Sequence, residues 1–314
     1  MHRVYMLLLS LLMHFNATAQ GCSDAGFCTM GAMKPDQPFN KKVPLKLRSM
    51  EISFYRGTTT LSPIVYVATL DMSFNIIDNK TFLQLKVPYQ AVNGNFGSTS
   101  GLGDLSFCLT RNLYSSEKFD IGLTLGGKAP SNNSNLTDDE FGLPLPMYYQ
   151  VSLGTYDAIA GISLVNRKWL IATGIQHPFN KNGNQFKWSD WIPVYEGGPE
   201  YVMSNDPCYE LKRGTDVMLR VERNFRFARF NFSLGLLPIW RITKDEILDT
   251  NINERVKLDG TLGMALSAIA TAGYSFNVKS GVRLLFGHKI TQRDVNPDGL
   301  TREMVTTASY YYRF

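Results

Sequence analysis

The chain has 314 residues, a formal net charge of +5 and 19% charged residues, with 19 Phe, 15 Tyr and 26 Gly. So mild a charge balance excludes a nucleic-acid binder. Beyond the N-terminus no stretch is apolar enough for a transmembrane helix, and no sustained three-and-four spacing of apolar residues argues for amphipathic helices.

The first segment, MHRVYMLLLSLLMHFNATAQ, has one arginine, a short apolar run from Val4 to Met13 and small residues at Ala17-Thr18-Ala19. This layout predicts a secretory signal peptide over residues 1–19, too short in its apolar part to span a bilayer. Its removal leaves about 295 residues, enough for one large domain or two small ones. Residues 20–43 follow as a polar, glycine- and methionine-containing segment, a disordered leader or a small plug on the periplasmic side. Cys22 and Cys28 lie close together there and are the predicted disulfide; a lipid on Cys22 is the alternative, though ATAQG lacks the usual leucine.

From residue 44 to 314 the pattern changes to segments of about ten residues with period-two alternation. PIVYVATLDMSFNII puts Ile64, Tyr66, Ala68, Leu70, Met72 and Phe74 on one face and Asp71 on the other. Leu105, Phe107 and Leu109 oppose Asp104, Ser106, Cys108 and Thr110; Ile121, Leu123 and Leu125 oppose Asp120 and Thr124. Phe230, Phe232, Leu234 and Leu236 oppose Asn231, Ser233 and Gly235, and a long run from Leu262 to Phe276 alternates likewise. About twelve such segments begin near residues 45, 62, 81, 102, 118, 155, 168, 214, 228, 260, 280 and 300. Every second connector is tight (IDNK, YSSEK, NRK, NFRF, NVKSG), while residues 129–154, 179–213 and 242–259 make long ones.

Alternating strands, an even strand number and alternating short and long connectors predict an all-β, antiparallel, up-and-down transmembrane barrel. A soluble sandwich has shorter strands and no reason for the connector rule. The barrel would sit in the outer membrane of a Gram-negative cell, short turns and both termini on the periplasmic side. The final TTASYYYRF fits this: Tyr310, Tyr312 and Phe314 share one face and would join an aromatic girdle at the lipid boundary. A terminal strand of this kind resembles the C-terminal signal that barrel-assembly machinery reads.

Charged residues in the opposite register are the candidates for lining the lumen: Asp71, Lys86, Asp104, Asp120, Asp157, Asp216, Arg220, Glu222, Arg283 and Lys289. They can line a wet pathway or brace the wall. Cys108 should face the lumen, and Cys208 lies in a long loop that reaches it only by folding inward. No catalytic residue is expected. After signal removal only His177 and His288 remain, neither with a serine at the offset a lipid-modifying enzyme needs. No phosphate loop, dinucleotide fingerprint or calcium loop appears, so no cofactor or metal is expected.

The motif GLGDL at Gly101–Leu105, placed where a third outer loop region enters a strand, and the overall layout resemble the outer-membrane barrels of the phenol-degradation meta-pathway family. The resemblance implies a channel passively admitting small hydrophobic or aromatic molecules. GCSDAGFCTMG departs from that family. A structural or adhesive barrel without transport is the alternative, and a lipid-modifying enzyme the third. The partners implied are outer-membrane lipids, the assembly machinery and a small-molecule solute; the sequence sets no oligomeric state.

Overall fold

A computed structural model describes residues 46–314 apart from Ile77 and Asn79. The signal peptide, residues 20–43 and the Cys22–Cys28 pair lie outside the described residues. The strands are β1 (Lys46–Thr58), β2 (Ile64–Asn75), β3 (Thr81–Gly94), β4 (Gly97–Leu102), β5 (Leu105–Ser115), β6 (Asp120–Ala129), β7 (Asp157–Val165), β8 (Trp169–Pro178), β9 (Asp216–Arg226), β10 (Phe230–Arg241), β11 (Glu246–Asp249), β12 (Glu254–Lys257), β13 (Gly263–Ser275), β14 (Ser280–Thr291) and β15 (Met304–Arg313).

β4 and β5 pair with the same strand, β3, and act as one interrupted strand. With that pair counted once, and the separate β11–β12 hairpin set aside, twelve antiparallel strands run round the wall. The ring closes where β1 pairs with β15, from Ser49 opposite Arg313 to Thr58 opposite Met304. Closure leaves no open edge, the only form in which strands survive among hydrocarbon chains.

Alternation sorts the two faces residue by residue. On β1, Phe54 is 63% exposed and its neighbour Tyr55 5%. Outward positions carry Ile52, Phe54, Leu109, Leu125, Ile162, Ile171, Leu234 and Leu284, all exposed. Inward positions carry buried polar groups such as Asp71, Gln84, Thr110, Thr124 and Glu222. A water-soluble fold reverses this arrangement, so the apolar outer band identifies a transmembrane barrel. Tyr310, Tyr312 and Phe314 point outward at the end carrying the short turns.

The connectors differ from expectation in three places. The β3–β4 connection, the second on the long-loop side, is a tight turn at Asn95-Phe96. GLGDL therefore lies at the break between β4 and β5 and not at the mouth of a third loop. The strand predicted to begin near residue 102 starts at Gly97 and resumes at Leu105. The long connectors also hold regular structure that periodicity did not reveal: helices α1 (Trp188–Trp191) and α2 (Pro199–Met203), and the β11–β12 hairpin.

Leu109 sits mid-strand on the outer face beside Leu83 and Leu125. Leu109→Arg is expected to cost about 2–4 kcal/mol, and Leu113→Arg, near the short-turn end, about 0–1 kcal/mol. Urea unfolding in lipid vesicles measures both; equal costs would show that Leu109 is not at the bilayer midplane.

Candidate functional site

The barrel interior divides into two halves. On the β5–β13 side Cys108, Ile159, Ala172, Met218, Leu237 and Ile269 form a packed apolar cluster that fills the lumen. Below it the Arg220 guanidinium pairs with Glu222, whose carboxylate also accepts a hydrogen bond from Ser233 Oγ at 3.2 Å. On the opposite side, against β1, β2, β3 and β15, a cavity of about 160 Å³ remains. Its upper wall is largely apolar, with Tyr55, Val67, Leu285 and Val305 from the strands. Its lower wall is ionic, with Glu51, Asp71 and Lys86 paired in register across β1, β2 and β3, and Arg283 on β14 beyond the intervening β15.

The roof of the cavity is built by the long connectors. Met147, Gln150, Val151, Ser152 and Leu153 descend from residues 130–156, and Gly299, Leu300 and Arg302 from residues 292–303. Gln150 fixes the first segment from both ends of its amide: it accepts from Leu136 N–H at 2.7 Å and donates to Leu145 O at 2.8 Å. Gly299 has φ 64°, and a Cβ there would lie 2.5 Å from the Met147 carbonyl carbon, so only glycine lets the two segments meet.

Above the roof an aromatic cluster ties the loops together. The Phe96 ring, at the β3–β4 turn, lies 4.4 Å from Trp191, 4.8 Å from Tyr195 and 5.1 Å from Tyr201, centroid to centroid. The Tyr149 hydroxyl accepts from Phe96 N–H at 3.1 Å.

A buried ionic girdle fastens this roof to the barrel rim. Lys128 Nζ meets Asp104 at 3.0 Å, and the Asp104 carboxylate also accepts from Ser152 Oγ and Leu153 N–H. Arg213 pairs with Asp157. Arg241 is shared by three carboxylates: Asp216 at 2.8 Å, Asp245 at 2.6 Å and Asp298 at 2.7 Å. Burial alone would push the Asp298 carboxyl up, but Arg241, Arg293 and Arg213 outweigh it and hold it well below the usual carboxylate range. At Asp245 burial prevails and the carboxyl is pushed up. Arg293 adds a second guanidinium, 3.5 Å from Asp298 and 3.9 Å from Asp245.

The ten sequence-selected charges all lie on the inward register. Asp71, Lys86, Asp104, Arg220 and Arg283 line the cavity. Asp120 lines a second space at the short-turn end. Asp157 and Asp216 belong to the girdle, Glu222 holds Arg220, and Lys289 donates to Gln292 Oε1 at 2.7 Å. Glu51, Lys128 and Arg241 went unselected although their strand parity marks them as inward. Arg213, Asp245, Asp298 and Arg302 stand in loops, where no period exists to mark them.

GLGDL has a local role: Gly103 N–H donates to Pro88 O at 2.9 Å in the β3–β4 register, Pro88 has no N–H to return, and the pairing slips by one residue before Ser106 meets Lys86, which is where Asp104 turns into the girdle. A Cβ at Gly103 would press on Pro88 Cγ and Val151 O, both at 3.2 Å. The long loop carrying Cys208 does fold inward, yet Cys108 and Cys208 are both buried and form no disulfide with each other. Burial pushes the Cys208 thiol up to about 12, so it stays protonated. His177 faces outward with Nδ1 2.8 Å from Thr215 Oγ1, and the His288 ring lies beside Phe286. Among the described residues no group of His, Cys, Asp and Glu could hold a metal ion.

No family model and no curated protein matches the chain. Among solved structures it is similar to the NanC porin, at 8% identity over 86% of this chain and 100% of that one, with a TM-score of 0.46. It is similar to the CymD monoaromatic hydrocarbon channel, at 11% identity over 96% and 99%, TM-score 0.43. It is also similar to outer membrane phospholipase A from Escherichia coli, at 8% identity over 86% and 98%, TM-score 0.39. At these values the likeness assigns no role to any residue.

Arg241→Gln leaves Asp216, Asp245 and Asp298 without their shared guanidinium, and is expected to cost about 3–5 kcal/mol of loop closure. Faster hydrogen exchange at Met147–Leu153 reads that loss; unchanged protection would show that the girdle does not hold the roof. The pH dependence follows from Asp298. Because its folded pKa is depressed, its contribution is fully present above the unfolded carboxylate value of about 3.9 and is lost only as pH falls toward the folded value. Protection of Met147–Leu153 should therefore not fall between pH 7 and pH 5: Asp298 contributes equally at both, and Asp245, whose carboxyl is pushed up, adds stability as pH drops.

Proposed function

We propose that the protein is an outer-membrane channel that passively admits small solutes, with its short turns in the periplasm and its long loops outside. The observation that carries this reading is the cavity of about 160 Å³ with mixed polar and apolar walls, kept open inside a barrel whose other half is filled. Twelve strands stand between the eight that side chains fill and the sixteen that leave a wide aqueous pore. A roof made of loops, not of strands, is the part of such a wall that can move. The apolar upper wall suits hydrophobic or aromatic solutes, the class implied by the resemblance to the phenol-degradation family at Gly101–Leu105. The outward Tyr310, Tyr312 and Phe314 suit recognition by the assembly machinery, and the outer band suits outer-membrane lipids.

A non-transporting structural barrel is the reading this has to beat. Purified protein in planar bilayers should give small, discrete conductance steps, and Arg241→Gln should raise their size or frequency. Silence from both proteins, with folding confirmed by a heat-dependent gel shift, would favour the structural barrel.

A further inference from the structure

The two interior spaces meet at one side chain. Arg283 lines the floor of the cavity and also lines a wider vestibule of about 550 Å³ at the short-turn end. The charge of that vestibule is one-sided. Among the described residues Lys118, Arg167, Arg226, Arg229, Arg283 and Arg313 line it, against Glu117 and Asp120 as the acidic ones. The cavity above is close to balanced, with Glu51, Asp71, Asp104 and Asp298 against Lys86, Lys128, Arg220, Arg283 and Arg302. Walls of low dielectric focus the field of such an excess along the axis, raising the local concentration of counter-ions.

We propose that the pathway selects small organic anions, monocarboxylates with an apolar body of about one ring, and that Arg283 is the group that binds the carboxylate. This rests on the channel reading. Selection occurs in the vestibule, where cations outnumber carboxylates and inorganic cations are repelled. Binding occurs at the narrows. Arg283 Nη1 stands 3.7 Å from Glu51 Oε2, an ionic contact longer than a hydrogen bond, and its guanidinium lies 5.7 Å from the centroid of the Tyr311 ring. A planar guanidinium presents a fork that a carboxylate fits with two parallel hydrogen bonds, so a solute carboxylate competes well with so loose a contact. With its carboxylate at Arg283, the solute places its body upward against Leu285, Tyr55, Val67 and Val305. The space suffices: a void of about 150 Å³ takes one benzene ring.

The test uses the full-length protein in planar bilayers under a KCl gradient, with potassium benzoate as the probe. The reversal potential should show chloride preferred over potassium. The preference should weaken as salt rises, because the screening length falls from about 10 Å at 0.1 M to about 3 Å at 1 M. Arg167→Glu combined with Arg229→Glu, both at turn tips, should abolish or invert the preference. Benzoate on the vestibule side should block chloride current, and Arg283→Gln should weaken that block several-fold more than Arg283→Lys does. If Arg283→Gln fails to fold, the turn-tip pair still decides selectivity. A conducting wild type that prefers potassium, or prefers neither ion, overturns the inference and leaves the channel standing. Chloride preference without benzoate block overturns the assignment of monocarboxylates to Arg283. No conductance in the wild type or in Arg241→Gln overturns the channel reading and this inference with it.

Discussion

A strand in hydrocarbon has nowhere to place its backbone N–H and C=O groups except on another strand. That constraint governs everything else in this molecule. It forces β1 onto β15, so the first and last strands of the wall must match in length and register over ten paired positions. Once the wall is closed, every residue is committed to one side, and alternate positions diverge in chemistry. Leu109 faces lipid while Thr110 donates to or accepts from Thr124 across the lumen wall at 2.9 Å. The tight turns at one end and the long loops at the other follow from the same closure, because an up-and-down order alternates its connections between the two ends.

This constraint also explains what could be read from the sequence. Period-two alternation is the direct imprint of a wall with different solvents on its two faces. It located Asp71, Asp104 and Arg220 on the inner face and Phe107, Leu234 and Leu284 on the outer one. The parity rule reaches Arg241 equally well, because it lies an even number of positions from Ser233, on the polar face of its own strand. It stops at the rim. Asp245 and Asp298 acquire their role from Arg241, 4 and 57 residues away along the chain, and nothing periodic links them. The Phe96–Trp191–Tyr201 cluster is beyond reach for the same reason: two separate connectors supply its rings. The break at Gly103 was visible as a motif, but its purpose depends on a loop that returns some fifty residues later to place Ser152 on Asp104.

Buried charges at the rim are costly to desolvate, and a well-packed apolar roof of the same shape would often be as stable. What the girdle adds is position. Arg241 fixes β9, β10 and two loops at one point, since a guanidinium donates to carboxylates only along its own plane. Aromatic rings above it, which tolerate many tilts, could not by themselves set the height of Met147–Leu153 over the cavity. The roof is therefore held by direction-dependent bonds beneath and by less selective packing above.

The two ends of the barrel consequently treat charge in opposite ways. At the long-loop end Lys128, Arg213 and Arg241 are matched by carboxylates within hydrogen-bonding or ion-pair distance, so little net field escapes the girdle. At the short-turn end the basic residues are spread over three turn regions and strands β14 and β15 around a wider space, with two carboxylates among the described residues that line it. Pairing at one end turns charge into mechanical fixation; excess at the other leaves it as a long-range field. Between them the lumen is half filled by Met218, Leu237, Ile269 and their neighbours, so under the proposed channel function a solute would be confined to the side walled by β1, β2, β3 and β15. That side would bring it past Arg283, which lines both spaces, and only then beneath the roof that Arg241 holds in place.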